Sequence, residues 1–309
     1  MQQSAAVILM IICFFQVRSQ EELPRYNLEI GDRYFISQEL VQQTETENRE
    51  LRGGASLDIN CTVEFKVTSI DPDGNYHFEC RYRNLSLSFY SPRSDVYLSS
   101  DNHAFSNIQT YLDELERHLF GLDISAYGEI IKPAPLDSII HSVFAEEQPD
   151  SAHHDLIIKT VREAFGENAL TSLVNITMNV YSDTLADSST KYSTIAFNAR
   201  PMAVRNRFYY VPVDEKVLRV QGIGVIEETV DNYTRENSSI VTTMQGQQTY
   251  DLVFNRETGW ISRGISKQRI HSLSTIRGHA EFPDGLKVPS FTETEYVIKG
   301  GRGSDSDGS

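Results

Sequence analysis

Apolar and polar residues alternate along the stretch from Leu57 to Phe89, on both sides of the segment Asp71-Pro72-Asp73-Gly74. This period is typical of strands with one dry face and one wet face. In the segment between them, proline is preset for the second turn position and glycine is free to take a positive φ. The pattern therefore predicts a long antiparallel hairpin. Its apolar positions are Leu57, Ile59, Cys61, Val63, Phe65 and Val67 before the turn, and Tyr76, Phe78, Cys80 and Tyr82 after it.

The apolar positions change parity within the second half of this hairpin. They fall on even numbers up to Tyr82 and on odd numbers at Leu85, Leu87 and Phe89. Because a parity change within one strand needs an extra residue, we predict a β-bulge near Arg83-Asn84. A bulge bends and twists a sheet, so we expect the sheet to be curved.

Cys61 and Cys80 lie on the apolar face of the hairpin. Two cysteines in an exported protein favour a disulfide. If Ile70 faces Asn75, however, Phe65 faces Cys80, and Cys61 lies about 13 Å away along the strand. A disulfide needs roughly 4.4–6.8 Å between Cα atoms. The register therefore favours two free thiols, and the disulfide remains the alternative.

Helical spacing replaces the alternation between about Ser106 and Met178, interrupted by a strand pair around Gly128. The first helix is predicted to begin at Ser106 and to end before Gly121. Shorter helices are predicted from Pro135 and up to Gly166, with a further turn or two over Ala169–Val174. Helical material between two β-rich stretches usually packs on a sheet face. The spacing residues of the first helix are Ile108, Tyr111, Leu112, Leu115 and Leu119.

Strands are predicted before the hairpin, over Leu28–Ile36 with a break at Gly31-Asp32, and again after Asn179. Gln43–Ala55 is either a loop or a strand end, and Ser91–Ala104 is predicted to be a loop. The later strands are predicted at Tyr192–Asn198, Arg205–Val213, Val217–Thr229, Ser238–Thr243, Thr249–Phe254 and Val288–Ile298, with a further long strand through Ile265 and Ile270.

These patterns together predict an α+β fold dominated by β-structure, with large curved antiparallel sheets and a helical middle segment packed on one face. Residues 20–299 are predicted to form a single β-rich domain, and residues 300–309 a disordered tail. Leu122–Ile130 and Leu252–Ile261 share the order strand, glycine turn, strand. Two related halves, 20–133 and 179–299, joined by the helical segment, therefore remain an alternative.

An apolar run from Ala5 to Val17 is too short to span a bilayer comfortably and lies where a secretory signal belongs. Val17 and Ser19 predict cleavage between Ser19 and Gln20, which makes residues 1–19 the signal peptide and removes Cys13. An uncleaved anchor is the alternative. No later run is long enough for an integral membrane span, so we expect a secreted or periplasmic protein.

The chain has 309 residues and a formal net charge of −15. Such a charge repels phosphate backbones and anionic membranes, so we expect no nucleic-acid partner. The fraction of hydrophobic residues, 39%, is ordinary for a soluble protein.

No motif predicts a catalytic, cofactor-binding or metal site, and we expect no cofactor. Gly222-Ile223-Gly224 lacks the third glycine of a dinucleotide fingerprint and runs into a predicted strand. Ser188-Ser189-Thr190-Lys191 has the spacing of an acylating serine, but it falls in a predicted polar loop. His153-His154-Asp155 has no second ligand pair one helical turn away, and His77 lies on the wet face of the hairpin.

The layout resembles a family of exported proteins of unknown function that is common in Bacteroidota. The residues that carry the resemblance are Leu28, Gly31 and Tyr34 in the first strand, Asp73-Gly74 in the hairpin turn, and Phe254–Gly259 in a late turn. The resemblance covers most of the chain after the signal, and it offers no functional residues to carry over.

The sequence therefore predicts an exported, non-enzymatic protein with a structural or protein-binding role in the cell envelope, whose apolar sheet face is a filled core. Its partner would be an envelope protein or a hydrophobic small molecule. One alternative is a carrier that holds a hydrophobic ligand or lipid in a half-barrel cavity. A second alternative is a hydrolase whose carboxylates meet only in the folded chain.

Overall fold

The computed structural model describes residues 25–46, 54–91, 96–100, 106–144, 152–182, 188–197, 200–235, 238–278 and 282–303. In this part of the chain, twelve strands form one antiparallel sheet, and helices cover one of its faces. The predicted β-dominated α+β class is confirmed. The predicted signal peptide, with Cys13, lies outside the described residues.

The strands are β1 (Arg33–Thr46), β2 (Ala55–Ile70), β3 (Tyr76–Ser91), β4 (Val96–Ser99), β5 (Phe120–Ile124), β6 (Ile130–Lys132), β7 (Ser188–Phe197), β8 (Arg200–Pro212), β9 (Val217–Arg235), β10 (Ser238–Asn255), β11 (Ile261–Arg277) and β12 (Leu286–Arg302). The helices are α1 (Ser106–Leu115), α2 (Leu136–Phe144), α3 (Ala152–Phe165) and α4 (Glu167–Thr177).

The strand order is β6-β5-β3-β2-β1-β12-β11-β10-β9-β8-β7, with β4 paired to β3 beside this path. The first and last strands, β1 and β12, pair from Tyr34↔Arg302 to Thr46↔Ser290. The strands before and after the helical segment therefore belong to one continuous sheet.

The predicted hairpin is formed by β2 and β3. Gly74 closes the turn with φ 82°, and its N–H donates to the carbonyl of Asp71 at 3.0 Å. Phe65 faces Cys80, as the register predicts. At the tip the prediction is wrong, because an irregularity between Val67 and Ser69 places Ile70 opposite Tyr76 and not opposite Asn75.

The bulge predicted near Arg83-Asn84 is confirmed. Asn60 pairs with Ser86 and Thr62 pairs with Arg83, so β3 has one residue more than β2 over this interval. Asn84 is at the extra position and has φ 53°. Asparagine tolerates this left-handed conformation better than most residues, which explains why the bulge falls here.

Both thiols of the hairpin are free and buried, as the register argument favours. Burial raises the pKa of the Cys61 thiol to about 12 and also raises that of Cys80. Both side chains therefore stay neutral and pack as small apolar groups.

The helices cover the inner face of the sheet, which is the face that carries the core side chains. Tyr82 on β3 donates its hydroxyl proton to the carbonyl of Phe165 in α3 at 3.0 Å. At the β7 edge of the sheet, Asn175 of α4 donates to the carbonyl of Thr194 at 2.7 Å, and α4 thus covers part of the free edge of β7. The helical segment thus reaches from β3 to β7, and the predicted packing on one face is confirmed.

Several predicted boundaries are wrong. Helix α1 ends at Leu115, so Leu119 lies beyond it and is exposed, while Gly121 lies in β5. The predicted loop Ser91–Ala104 contains β4, which forms because the buried Leu98 pairs with Phe89. No strand covers 28–30, so the first strand begins later than predicted. Helix α4 is complete over 167–177, where only a further turn or two is predicted.

The gap predicted between Thr243 and Thr249 does not exist, because β10 runs straight through it. Among the intervening residues, Gln245 and Gln247 are exposed, while Gln248 is buried and faces the buried Gln268. Gln248 donates its amide to the hydroxyl of Ser266 at 2.9 Å. Gln248 therefore takes an inward position of β10 with a polar side chain, which interrupts the apolar alternation that predicts a strand.

The predicted tail also begins too early. Residues Gly300–Arg302 belong to β12 and pair with Ile36, Phe35 and Tyr34 of β1. Gly303 follows, and its N–H donates to the carbonyl of Arg33 at 2.8 Å. Residues 304–309 lie outside the described residues.

Candidate functional site

The inner face is where the alternative function, a carrier of a hydrophobic ligand, would place its cavity. Between β1, β2, β12 and helices α3 and α4 there is a void of ≈ 50 Å³. A void of this size has room for a few water molecules and not for a lipid chain, which would need several hundred cubic ångströms. Its lining includes Gln38, Leu40, Gln42, Leu57, Ile59, Glu163, Ala164, Ala169, Ser172, Ala196 and Tyr296.

Glu163 is the acidic side chain in the lining of this void. It is 22% exposed, and Lys159 lies 3.8 Å away. Burial raises the pKa of the Glu163 carboxyl, and Lys159 offsets part of this effect. The folded chain therefore binds this proton more tightly than the unfolded chain does.

Because of this difference, stability should fall as the pH rises from the usual glutamate pKa near 4.5 through the raised pKa of Glu163, and stay level above it. The Glu163→Gln variant should lose this part of the pH dependence and be more stable than the wild type near neutral pH. Urea unfolding at several pH values measures the effect. Glu215→Gln, the same change at an exposed position, is the control, and equal profiles for both variants would show that the Glu163 pKa is not raised.

The motifs set aside in the sequence have structural roles. Gly222-Ile223-Gly224 lies within β9, as predicted. The segment from Ser188 to Lys191 was predicted to be a loop, and it is part of β7. Lys191 donates to Glu129 at 3.0 Å and to Asn179 at 3.1 Å, which ties β7 to the turn before β6 and to the end of α4. The side chains of His153 and His154 lie outside the described ones.

His77 is held by a carboxylate. Its Nδ1 lies 2.9 Å from Oδ1 of Asp123, which is its direct cross-strand partner on β5. The hydroxyl of Thr68 donates to the backbone carbonyl of His77 at 2.9 Å and not to the ring. Among the described residues, no group of three or more His, Cys, Asp or Glu side chains is arranged to hold a metal ion.

A larger cleft lies where β1, β2 and β3 run side by side, and it has a volume of ≈ 540 Å³. It opens on the outer face of the sheet, opposite the helices, where the wet positions of the three strands point. Its lining contains four basic side chains and two carboxylates, together with aromatic and aliphatic surface. The lining residues are Arg33, Tyr34, Phe35, Thr62, Glu64, Phe65, Lys66, Glu79, Cys80, Arg81, Leu119, Arg302 and Gly303.

Two basic residues of this cleft, Arg33 and Lys66, are direct cross-strand partners on β1 and β2. The Cβ atoms of such partners are about 4.5–5.5 Å apart, and like charges in this arrangement destabilise a sheet. Within the described residues, the other cations of the cleft have carboxylate partners: Arg81 pairs with Glu64, and Arg302 pairs with Asp32. No described ion pair involves Arg33 or Lys66.

Asp32 is fully engaged beside the cleft. Besides Arg302, it accepts a hydrogen bond from the hydroxyl of Tyr34 at 2.9 Å. Burial and this hydrogen bond raise the pKa of Tyr34 above its usual value, so the phenol stays neutral and donates. The carboxylate nearest to Arg33 in sequence is thus held by other groups.

The wall of the cleft is anchored by the bulge in β3. A bulge leaves a backbone N–H without a strand partner. Here the N–H of Leu85 donates to Oε1 of Glu116, just after α1, at 2.7 Å. This bond holds the segment from Glu116 to Leu119 over β3, and the exposed Leu119 side chain borders the cleft. The parity change in the sequence therefore also positions the site.

Comparison with known protein families covers only part of this site. Residues 73–261 match the model of a family described as a family of unknown function (DUF6263). The chain belongs to this family. The DUF6263 region begins in the hairpin turn and ends at the start of β11, so it contains Arg81, Glu116 and Leu119 and leaves out Arg33 and Lys66. A family of unknown function is what the sequence resemblance implies, while an origin in Bacteroidota stays a prediction.

No curated protein matches the chain. Among solved structures, it is similar to the COG4313 outer membrane channel from Pseudomonas putida F1, with 7% identity, 93% of this chain and 100% of that chain covered, and a TM-score of 0.22. A second is OccK7 (OpdD) of Pseudomonas aeruginosa, with 7% identity, 89% and 100% covered, and a TM-score of 0.20. TM-scores this low carry no argument about fold or function. None of the described helices is long and apolar enough to cross a bilayer.

Proposed function

We propose that this DUF6263 protein is an exported, non-enzymatic binding protein, and that the outer cleft over β1, β2 and β3 binds an anionic group of its ligand. The apolar run from Ala5 to Val17 supports export to the cell envelope or beyond it. The void described between β1, β2, β12 and the helices supports a role for the outer surface, because its volume of ≈ 50 Å³ is too small for a lipid chain.

One observation carries the proposed binding site: Arg33 and Lys66 face each other, and neither belongs to a described ion pair, although Glu79 on β3 is the other cross-strand neighbour of Lys66. The chain has a formal charge of −15, so carboxylates are plentiful elsewhere on its surface. Two adjacent, half-buried cations in such a protein repel each other unless an anion lies between them. A bound carboxylate or phosphate would turn this unfavourable pair into two charge-assisted hydrogen bonds.

The double variant Arg33→Gln, Lys66→Gln is therefore expected to lose anion binding. Titration calorimetry with succinate should show an affinity about tenfold lower than that of the wild type, or no binding. The unfolding free energy without ligand should stay equal or rise, because the repulsion between the two cations is gone.

The matched control is the double variant Lys267→Gln, Arg269→Gln. It removes the same charge from outer positions of β11, where Lys267 pairs with Glu295 at 2.6 Å and Arg269 pairs with Glu293 at 2.9 Å. The control should bind succinate as the wild type does. Equal binding by both double variants, or no binding by the wild type, would contradict the proposed function.

A further inference from the structure

The cleft does not end at Arg81. A second cleft of ≈ 510 Å³ lies further along β3, and Arg81 and Leu119 line both. The two clefts therefore form one groove beneath the segment that Glu116 anchors to the bulge. The second part is lined by Arg81, Arg83, Asp113, Glu116, Arg117 and Leu119.

The groove is long compared with a single anionic group. Each half has a volume in the range of pockets that take a whole drug-sized molecule, whereas one carboxylate occupies a small part of that. Cations recur along the groove, from Arg33 and Lys66 at one end through Arg81 and Arg83 to Arg117 at the other. A ligand with several negative groups along an extended chain matches this distribution.

The carboxylates of the groove are largely engaged within the protein. Glu64 pairs with Arg81, and also lies 3.6 Å from Arg83. Glu116 accepts from the N–H of Leu85, and Asp113 accepts from Gln109 at 2.7 Å. A hydrogen-bonded carboxylate keeps its charge, so the lining as a whole has six cations against four carboxylates, and Arg117 also pairs with Glu114 at 2.8 Å. The end formed by Arg33 and Lys66 has no described ion pair, although Glu79 faces Lys66 from β3.

Apolar surface separates the two ends. Leu119 is 55% exposed and borders both halves, and the ring of Phe35 is half-buried in the first half. Leu119 and the ring of Phe35 give the groove apolar surface against which an apolar side chain of a ligand can pack. Neither a free inorganic anion nor a sugar acid would use this wall.

We infer that the groove binds an extended acidic peptide segment of a partner protein, with its carboxylates on Arg33 and Lys66 and an apolar side chain against Leu119. This inference rests on the proposed function and gives its ligand. The net charge of −15 repels long polyanions such as nucleic acid, so a short segment with a few carboxylates is the anion that this surface admits. Recognition of acidic motifs by clustered basic residues is a recurring mode of peptide binding.

A synthetic peptide that alternates Glu with Leu and Ser tests this inference on the full chain, beside its counterpart with Gln in place of Glu. By titration calorimetry, the acidic peptide should bind at least about tenfold tighter than succinate, because more of the groove is used. The affinity of the Gln peptide should be at least about tenfold lower than that of the acidic peptide. A rising salt concentration should weaken the binding of the acidic peptide.

The variant Leu119→Ser separates the inference from the proposed function. It should lower the affinity for the peptide about tenfold and leave the affinity for succinate unchanged. Ile223→Ser on the outer face of β9 is the control, because this residue is 57% exposed and lies outside the groove. It should change neither affinity.

Three results would overturn the inference while leaving the proposed function intact, provided that succinate still binds through Arg33 and Lys66. The first is a peptide that binds no tighter than succinate. The second is equal peptide affinity for Leu119→Ser and the wild type. The third is peptide binding only after removal of residues 304–309, whose sequence contains Asp305 and Asp307, since the chain's own segment would then be the occupant.

Discussion

Replacement of Gly128 by alanine is expected to lower the free energy of unfolding by more than about 3 kcal/mol. Gly128 has φ 84°, a left-handed conformation that costs any residue with a Cβ atom. An added Cβ would also lie 1.8 Å from the carbonyl oxygen of Met178 and 2.4 Å from its carbonyl carbon. Both are backbone atoms at the end of α4, so the contact is relieved only by moving the turn or the helix. Urea unfolding measures the loss.

The variant Gly74→Ala is the matched control for this prediction. Gly74 has φ 82°, almost the same conformation, but an added Cβ would meet nothing within 4 Å. It should therefore lose only the backbone contribution, about 1–2 kcal/mol. The difference between the two variants measures the close approach of the turn to α4. Equal losses would mean that Gly128 does not pack against Met178.

The two glycine turns that are similar in sequence also share a structural role. The N–H of Tyr26 donates to the carbonyl of Ala126 in the turn at Gly128, and the N–H of Asn27 donates to the carbonyl of Thr258 in the later turn. Two successive residues of the chain before β1 therefore join both turns. Gly259 also lies close to this segment, because an added Cβ would be 2.4 Å from the carbonyl oxygen of Arg25. A duplication of the two halves stays a prediction.

Local features of this fold are predictable from the sequence because they depend on near neighbours. The alternation fixes which side of the hairpin is buried, Asp73-Gly74 fixes the turn, and the parity change fixes the bulge at Asn84. Where the hydrophobic pattern is interrupted by buried polar residues, the same reasoning fails. Gln248 lies in the interior, and alternation alone treats the stretch between Thr243 and Thr249 as a gap.

The candidate site is not predictable in this way, because it depends on the pairing of distant strands. Arg33 and Lys66 meet only through the register of β1 with β2, and Arg302 joins them only because β12 pairs with β1. Leu119 was assigned to a helix by its spacing, and its exposure became visible only when the helix ended at Leu115. One part of the site is visible in the sequence, because Lys66 occupies a wet position of the predicted hairpin.

Trp260 joins the distant parts of this sheet, and it also supports the cleft. Its ring stacks on Tyr34 with a centroid distance of 4.6 Å and meets the edges of Phe65 at 5.3 Å and Tyr26 at 6.1 Å. The indole Nε1–H donates to the carbonyl of Phe35 at 3.1 Å. The side chain thus contacts β1, β2 and the segment before β1 from the start of β11, and it lies directly beneath the floor of the groove.

The Trp260→Ala variant is therefore expected to lose about 3–5 kcal/mol of unfolding free energy, because a large buried ring leaves a cavity among other rings. Trp260→Phe keeps a ring and should lose less, about 1–3 kcal/mol, part of which is the lost hydrogen bond from the indole to the carbonyl of Phe35. Thermal and urea unfolding measure both. A loss below about 1 kcal/mol for Trp260→Ala would show that the cluster does not hold the strands together. If Trp260→Phe remains folded and its succinate affinity falls, the indole also fixes the position of Phe35, because the substitution removes no charge from the groove.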